Sequence, residues 1–544
     1  MSYSYTKVSI LSAGVAFVLL LIRVLRIGRR PAGYPPGPPT VPLLGNIHQM
    51  PTRDAHLQFQ KWAREYGPVY SLILGTKTLI VLSSDVAVKD LMDKKSANYS
   101  DRQDMYIGQT LCSGGMRLLM MRYGPEWRKF RKLLHGILNI NAAKTYVPYQ
   151  VLENKQMLFD ILNTPDDVLG HIRRYSNSLT TSMTFGWRTP TNDDPKLRQL
   201  FEGFSEFAII NQTGTAALID FFPFLRRLPE FVLPTQAKAR RLHEIEKQLY
   251  VGHWLRSKNS ITDGTGNPCF CADLLRSQEK EGFNDAQAGY ISGTLLEAGS
   301  DTTSSTLYGF VQAMILFPEV QRKAQEEIDR VVGPNRLPTI DDEDNLQYIR
   351  CCMKESLRWM PTTILGAVPH AAVADDVYMG YVIPKGAGVL NNVYSINMDP
   401  VRFSNPREFN PSRYVDDTQS LSEAASNPDA SKRDQFTFGA GRRICPGIHV
   451  AERSLFLGIS RLLWSFDFKP ALDGRGREIL PDPERLTQGF VCMPEPFQCM
   501  ITPRSKEKEK MVRSEWEEAS GLLDKQTQQW KEVPQGMVLP PLQR

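Results

Sequence analysis

The sequence has few cysteines and little net charge. Its 544 residues include eight cysteines, which are irregularly spaced and lack both the repeated CxxC pairs of a zinc site and the density of a disulfide scaffold. Lys and Arg number 65 against 59 Asp and Glu, so the net charge is only +6, and no basic arm is interleaved with aromatic residues. We therefore expect a protein of a reducing compartment that does not bind nucleic acid.

The chain also lacks linkers and visible internal repeats. Hydrophobic residues make up 42% of it, enough to bury a large core without disulfides. Helical spacing of apolar residues dominates from about residue 86 to 360, whereas two apolar runs around Gly75 predict a β-hairpin and "GYVIPKGAGVLNN" predicts short strands. The predicted fold is mainly α with small β-sheets, over residues 31–503. We expect the charged segment 504–544 to be a solvated tail with at most one short helix.

The first thirty residues differ from the rest. Residues 8–22, "VSILSAGVAFVLLLI", carry no charge, and "RVLRIGRR" follows directly. A helix over this run rises about 22 Å, and it matches the ~30 Å hydrocarbon core only when it extends to Ile27 with Arg23 and Arg26 snorkelling. We predict a single transmembrane anchor in residues 1–30 that leaves the following chain in the cytosol. A cleaved signal peptide is the alternative, which the absence of small residues near the arginines disfavours.

Cys445 lies in the glycine-rich and arginine-containing segment "QFTFGAGRRICPG", residues 435–447. A thiolate requires positive potential and backbone donors, and Pro446 with the apolar run behind it predicts that the sulfur lies at a helix N-terminus. Gly439, Gly441 and Gly447 allow the backbone to fold closely around a flat ligand. A lone cysteine is more often a small buried residue, so the residues around it decide the interpretation.

Part of this segment, "FGAGRRICPG", resembles the haem-binding signature of the cytochrome P450 family. Phe438, Gly441, Arg443, Cys445 and Gly447 occupy the positions of that signature. Three further motifs, all before Cys445 in the chain, occur in the family's order. The resemblance extends over residues 35–504. It implies the family's fold, in which haem b lies between a long central helix and the cysteine loop. It also implies that the Cys445 thiolate is the axial ligand of the iron and favours cleavage of the oxygen–oxygen bond.

The first further motif is "EAGSDTTSS", inside a long apolar run. Charge is costly inside such a run, so Asp301 is either satisfied within its helix or functional. Gly299 would leave room on one face for a small ligand and water. The resemblance implies that Asp301 and Thr302 relay protons to haem-bound dioxygen.

The second motif joins "KESLR" to "FNPSRY". Glu355 and Arg358 are three residues apart and therefore neighbours on a helix, where such pairs are usually surface ion pairs. The resemblance implies instead a buried network with Arg413 that braces the cysteine loop. The family more often has Glu and Phe where this chain has Ser412 and Tyr414.

The third motif is "EWRKFR", in which Trp127 and Arg131 lie four residues apart on one helix face. The resemblance places both residues against the haem propionates, with Arg443 and His370 as further contacts. By itself, His370 would more often be an ordinary core or surface histidine.

The resemblance implies a monooxygenase that inserts one oxygen atom of dioxygen into a substrate by hydroxylation or epoxidation. No second cofactor signature is visible, so electrons are expected from NADPH through the cytochrome P450 reductase of the endoplasmic reticulum membrane. A basic face is expected to dock this reductase, and a merely solvated face is the alternative. The residues of this face are Arg128, Lys129, Lys132, Lys432, Arg433 and Arg442.

The segments expected to line the pocket indicate an apolar small-molecule substrate. They are rich in Met, Phe, Leu and Ile and carry few charges, although such stripes are also ordinary core. Residues 221–231, "FFPFLRRLPEF", combine aromatic and basic side chains that fit a membrane surface. The run "VPHAAVADDVYMGYVIPKG" is similar to fungal family members that act on secondary metabolites.

Two other functions remain open for the same fold. One is an isomerase or dehydratase that rearranges a peroxide without external electrons, and Asp301 and Thr302 argue against it because dioxygen is not protonated there. The other is a non-catalytic haem carrier or sensor, against which the apolar pocket segments argue weakly. Dependence of turnover on reductase, NADPH and dioxygen distinguishes the three functions.

Overall fold

Helices make up most of the fold, as the sequence predicts. The computed structural model describes residues 12, 14–19, 21, 22, 24–211 and 215–538. The α-helices are α1 Ala55–Tyr66, α2 Asp85–Val88, α3 Pro125–Leu138, α4 Ile140–Thr145, α5 Val147–Asn163, α6 Val168–Phe185, α7 Pro195–Asn211, α8 Thr215–Phe221, α9 Pro234–Thr262, α10 Phe270–Glu281, α11 Asp285–Leu316, α12 Pro318–Val331, α13 Gln347–Trp359, α14 Val393–Asn397, α15 Leu421–Ser426, α16 Ile448–Ser465 and α17 Lys506–Ser520. Two π-helical segments, Lys89–Lys94 and Tyr106–Leu111, lie among them.

Small sheets complete the fold and confirm the mixed architecture. The strands are β1 Val69–Leu74, β2 Lys77–Leu82, β3 Asp101–Arg102, β4 His370–Ala371, β5 Asp376–Tyr378, β6 Tyr381–Ile383, β7 Gly388–Asn391, β8 Phe466–Leu472, β9 Glu478–Ile479 and β10 Cys499–Pro503. The predicted hairpin around Gly75 is the antiparallel pair β1–β2. The larger sheet has the order β1-β2-β7-β4-β3. Its β3–β4 register places Arg102 opposite His370, which brings both to one end of the main cavity.

Helix α11 is the long central helix that the apolar run predicts. Asn284 caps its N-terminus through a capping box with Gln287, which satisfies the first free N–H groups. Gly289 and Gly293 then let α9 approach closely, because a Cβ at Gly293 would lie 2.5 Å from the Tyr250 ring. Most residues of α11 are buried, so polar side chains on it face either neighbouring helices or an internal cavity.

The predicted charge network between α13 and the chain that follows is confirmed. Arg358 donates to both carboxylate oxygens of Glu355 at 2.7 Å, and Arg413 donates to Glu355 Oε1 at 3.3 Å. Both members of the first pair are fully buried. The neighbouring Leu357 carbonyl accepts from Thr437 Oγ1 at 3.0 Å, so α13 is hydrogen-bonded to the segment that leads into the cysteine loop.

The C-terminal segment corrects the prediction of a solvated tail over residues 504–544. Helix α17 packs on α5, where the rings of Trp516 and Phe159 lie 6.0 Å apart. Lys155 of α5 also pairs with Glu515 at 2.6 Å. The prediction rested on the charged composition of the segment and left out an apolar stripe at helical spacing. The apolar residues continue beyond the helix to buried Leu523.

The predicted transmembrane anchor lies partly outside the described residues, since 1–11, 13, 20 and 23 are not among them. Residues 14–19 and 24–26 are helical. Within the described part of the chain, no helix combines the length and apolar character needed to cross a membrane. Leu43 donates its N–H to the Ile27 carbonyl at 2.8 Å, which ties the end of this segment to the folded domain.

Leu523 and Leu522 offer a direct test of the docked C-terminal segment. Leu523 is 1% exposed and Leu522 is 54% exposed. Leu523→Ala is expected to lower the free energy of unfolding by about 2–5 kcal/mol, because it opens a cavity against Leu152. Leu522→Ala is the matched control and is expected to change it by less than about 0.5 kcal/mol. Equal effects of the two substitutions in denaturant titrations would show that the segment does not dock in solution.

Candidate active site

A cavity of about 540 Å³ lies between α11 and the loop that carries Cys445. This volume falls within the ~300–1,000 Å³ typical of small-molecule and cofactor sites. Nine of the ten predicted site residues lie in its wall, although they come from four separate parts of the chain. They are Trp127, Arg131, Asp301, Thr302, His370, Phe438, Arg443, Cys445 and Gly447.

The Cys445 loop ends just before helix α16. The Cys445 N–H donates to the Phe438 carbonyl at 2.9 Å, which closes the loop. The helix begins at Ile448 rather than at Pro446, with Gly447 at the N-cap position, so the sulfur lies just ahead of the first turn. Burial raises the pKa of the Cys445 thiol, whereas the Gly447 N–H and then the Arg131 guanidinium act to lower it.

Gly441 is the predicted site residue that the cavity wall does not include. Its φ is +65°, and a Cβ there would lie 2.0 Å from the Met92 carbonyl oxygen. Its N–H donates to Asp93 Oδ1 at 2.7 Å. Gly441 therefore lets the loop pack against the π-helical segment 89–94, whereas the sequence had indicated close approach to a flat ligand.

Three guanidinium groups lie at one end of the cavity. Arg443 donates to the carbonyls of Ser100 and Met121 at 2.6 and 2.7 Å and stacks 4.5 Å above the Trp127 ring. Arg131 donates to the Ile444 carbonyl of the cysteine loop. Among the described residues, the hydrogen bonds of both arginines go to backbone carbonyls, and the negative charge of Asp101 acts on Arg443.

Arg102 is the third guanidinium, and sequence reasoning missed it. It is 5% exposed and donates to the carbonyls of Leu119 and Val368. Burial, and then the positive charge of Arg443, lower its pKa. No motif marks Arg102 in the sequence, and only its strand pairing with His370 brings it into the cavity wall.

His370 lies in the cavity wall as a neutral ring. Its Nδ1 lies 2.7 Å from the Tyr99 carbonyl, which can only accept, so Nδ1 carries the proton. Burial and then the Arg102 charge hold the pKa of His370 well below its usual range. The ring therefore presents an unprotonated Nε2 while the surrounding guanidiniums stay without an anion.

Asp301 and Thr302 face the cavity from α11. The Thr302 hydroxyl donates to the Ala298 carbonyl at 2.7 Å, which leaves its oxygen lone pairs for a partner in the cavity. Burial raises the pKa of Asp301 to about 6, and the positive charge of Arg173 on α6 opposes this rise. The carboxyl group therefore exchanges its proton close to neutral pH.

Gly299 lies in the cavity wall, and it also packs against α6. A Cβ at this position would lie 2.5 Å from Thr180 Oγ1 of α6, and the Gly299 carbonyl accepts from Ser176 Oγ at 2.8 Å. Gly299 therefore allows α6 and α11 to pack closely. Helix α11 is continuous through this segment.

Comparisons with known proteins agree with this geometry. The family model described as "Cytochrome P450" matches residues 35–501. The chain belongs to the cytochrome P450 family. The cytochrome P450 monooxygenase virE of Hypocrea virens is 54% identical over 521 residues, which cover 96% of this chain and 94% of that protein. The cytochrome P450 monooxygenase fogE of Aspergillus ruber is 50% identical over 525 residues, covering 96% of this chain and 97% of that protein.

Membership in the cytochrome P450 family confirms several expectations at once. The chain is an oxidoreductase of the monooxygenase class, and its cofactor is haem with a cysteine thiolate ligand and electrons supplied by a reductase. The fold, with haem held beside a long central helix, is the family's fold.

The cavity of this cytochrome P450 fits the haem group chemically. Haem is a flat apolar ring with two anionic propionates, and an anion needs cationic or N–H donors. Arg102, Arg131 and Arg443 supply positive charge at one end of the cavity. The Cys445 sulfur and the apolar residues around it line the adjoining wall.

The opposite side of the cavity is more polar than the sequence indicated. Arg117, Arg173 and Glu297 line it, although the pocket segments had predicted few fixed charges. These side chains come from three separate parts of the chain, and only Glu297, inside the apolar run of α11, is set apart from surface charges by its local sequence.

Proposed function

We propose that Cys445 is the axial haem ligand of this cytochrome P450 and that the enzyme inserts one oxygen atom into an apolar organic molecule. The observation that supports the proposal best is that Cys445 and Thr302 line the same cavity. Haem bound there supplies an oxidant, made from dioxygen and two electrons, that is able to attack an unactivated carbon. The surrounding residues bind and orient the substrate, and they exclude water.

On the cysteine side, two groups favour an anionic sulfur and so oppose the effect of burial on its pKa. The Gly447 N–H and the Arg131 guanidinium both favour the thiolate, because each lowers the Cys445 pKa. Arg102, Arg131 and Arg443 would hold the haem propionates by charge-assisted hydrogen bonds. His370 joins them as a donor once a carboxylate lies close to it, because a nearby anion favours the protonated ring.

On the α11 side, Asp301 and Thr302 move protons into the cavity. A carboxyl group with a pKa of about 6 both releases and takes up a proton near neutral pH. Thr302 lies next to it and carries a hydroxyl that accepts a hydrogen bond while it donates to Ala298. Together they form a short path along which protons pass from Asp301 to a group bound in the cavity.

The reductase docks on a basic face formed by Arg128, Lys132 and Arg442, with Lys432. Arg128 and Arg442 both lie over the Tyr123 ring, at 5.9 and 5.5 Å, and all four side chains are exposed. Arg433 is removed from this face, because it is 3% exposed and pairs with Asp93. The exposed positive charges suit an acidic partner.

The enzyme is anchored in the endoplasmic reticulum membrane by residues 1–30, with the catalytic domain in the cytosol. An exposed apolar patch supports this orientation, since Phe224 is 66% and Phe231 is 87% exposed. Thr76 donates to the Phe221 carbonyl at 2.7 Å, and Gly75 donates to the Leu44 carbonyl at 3.2 Å. The patch and the end of the N-terminal segment therefore lie on one side of the domain.

The substrate belongs to secondary metabolism. The similarity to fungal monooxygenases over nearly the whole chain supports this, as does a cavity wall rich in Phe, Leu and Met side chains. An apolar entry face on the membrane side admits such molecules from the bilayer.

Cys445→Ser tests the ligand assignment. The variant is expected to lose the red-shifted absorbance of the reduced carbonyl complex, because a hydroxyl does not replace a thiolate in pushing electron density to the iron. Cys499→Ser, a half-buried cysteine on β10, is the control and is expected to retain it. With reductase, NADPH and labelled dioxygen, the wild-type enzyme should place one labelled atom in its product. Turnover without NADPH would contradict the monooxygenase.

Thr302→Ala tests the proton path. We expect the variant to consume NADPH while releasing severalfold more hydrogen peroxide per product molecule, because protons no longer arrive in the right place. Thr262→Ala is a matched control, since Thr262 makes the same bond to the carbonyl four residues earlier, at 2.8 Å, but at the exposed C-terminal end of α9. Unchanged coupling in Thr302→Ala would remove Thr302 from the path.

Charge reversal tests the reductase face. Replacing Arg128, Lys132 and Arg442 by Glu is expected to slow the first electron transfer and flatten its dependence on salt, because steering of an acidic partner is lost. The control reverses Lys506, Lys510 and Lys525, which are exposed on the C-terminal segment. Stopped-flow reduction rates that fall equally in both triple variants would reject this face.

A further inference from the structure

Three charged residues form a buried cluster beside the cavity. Arg117 follows the π-helical segment Tyr106–Leu111, Glu246 lies on α9, and Glu297 lies on α11. Arg117 and Glu246 are 5% and 3% exposed. Arg117 and Glu297 belong to the cavity wall. The proposed chemistry at Cys445, Asp301 and Thr302 does not use any of the three.

The guanidinium of Arg117 joins the two carboxylates. Its two terminal nitrogens donate to Glu297 Oε1 and Glu246 Oε2, and its Nε donates to Ser113 Oγ at 3.0 Å. Phe207 covers it at 4.2 Å from the ring centroid. These three hydrogen bonds and the ring contact hold Arg117 rigidly, because a planar guanidinium with fixed partners has little freedom left.

The atoms of this cluster that lack a hydrogen-bond partner are carboxylate oxygens, which accept hydrogen bonds. Glu297 Oε1 already receives hydrogen bonds from Arg117 and from the Tyr250 hydroxyl. Among the described residues, Glu297 Oε2 receives none, and it is not sealed from the cavity. Glu246 Oε1 is buried without a partner. One guanidinium therefore faces two carboxylates, and the group that reaches the cavity is an oxygen able to accept.

The spacing along α11 relates this acceptor to the reacting end of the cavity. Glu297 and Asp301 are four residues apart and share one helix face. Thr302 is five residues beyond Glu297, which corresponds to a rise of about 7.5 Å. A molecule that contacts both ends must therefore span roughly this distance.

We propose that Glu297 is a specificity-determining residue that accepts a hydrogen bond from a hydroxyl group of the substrate. Arg117 and Tyr250 fix the carboxylate, and Oε2 receives the hydroxyl hydrogen. The substrate class is then an otherwise apolar molecule that carries a hydroxyl group away from the carbon that is oxidised. This inference rests on the proposed function, because the same cavity must hold the molecule that is oxidised.

A purely structural ion-pair cluster would behave differently. Loss of Glu297 would then lower the stability of the protein but would weaken the binding of hydroxylated and non-hydroxylated ligands to the same extent. A site built to bind a hydroxyl instead discriminates between them, since its acceptor is left unpaired by the analogue that lacks the group. The ratio of two affinities separates these cases, because effects common to both ligands cancel.

The test uses 4-heptylphenol and heptylbenzene as probes on the full-length haem-loaded enzyme. Dissociation constants are measured by equilibrium dialysis, so that the readout does not depend on turnover. Relative to the wild type, Glu297→Leu is expected to shift the phenol-to-heptylbenzene affinity ratio against the phenol by about tenfold to a hundredfold, the range for a hydrogen bond to a charged group. Glu297→Gln is expected to shift it less, because a neutral amide oxygen still accepts.

Glu319→Leu on α12 is the control, since its side chain is 82% exposed, and we expect the wild-type ratio there. If Glu297→Leu does not load haem, Glu297→Gln carries the test alone. An affinity ratio that is the same in the wild type and in the Glu297 variants overturns the inference while leaving the proposed function intact. Failure of both probes to bind the wild type contradicts the apolar cavity itself and therefore both proposals.

Discussion

The buried ion pair between Glu355 and Arg358 is the constraint on which the position of the cysteine loop depends. Arg358 also donates to the carbonyls of Asn397 and Pro406 at 2.9 and 2.8 Å. One guanidinium thus holds the end of α13 against the chain that precedes the loop. Removing either charge would leave its partner buried and unpaired, at a cost of about 3–5 kcal/mol. The hydrogen bond from Thr437 to the Leu357 carbonyl ties the start of the cysteine loop to the same helix.

The cavity that results has two polar ends and an apolar middle. Cationic groups gather near Arg102 and Arg443, where they suit an anionic part of the cofactor. On the other side, the Arg117 cluster presents a carboxylate oxygen, and α11 connects this side to the cysteine side through Asp301 and Thr302. Because α11 is packed tightly against α6 and α9, the distances along it are fixed. A ligand is therefore selected by where its polar groups fall along one rigid helix.

Local patterns predicted much of this arrangement. The apolar run around Asp301 specified a long buried helix, and the glycine-rich segment before Cys445 specified a tight loop ahead of another helix. Prediction failed where the partner of a residue lay elsewhere in the chain. Gly299 has no local sign that it touches Thr180, and Leu523 was hidden among charges although its spacing from Val512 marks an apolar stripe. Composition outweighed periodicity in that segment, and the expectation was wrong.

The sequence by itself determined the chemistry of the cysteine loop, the family and the central helix, because each depends on residues close together along the chain. Only the tertiary structure decided which charges line the cavity. Arg102 meets His370 through strand pairing, and Arg117 meets Glu297 because a loop packs against α11. An isolated arginine or glutamate looks the same in a sequence whether water or another side chain surrounds it, and burial alone makes the difference.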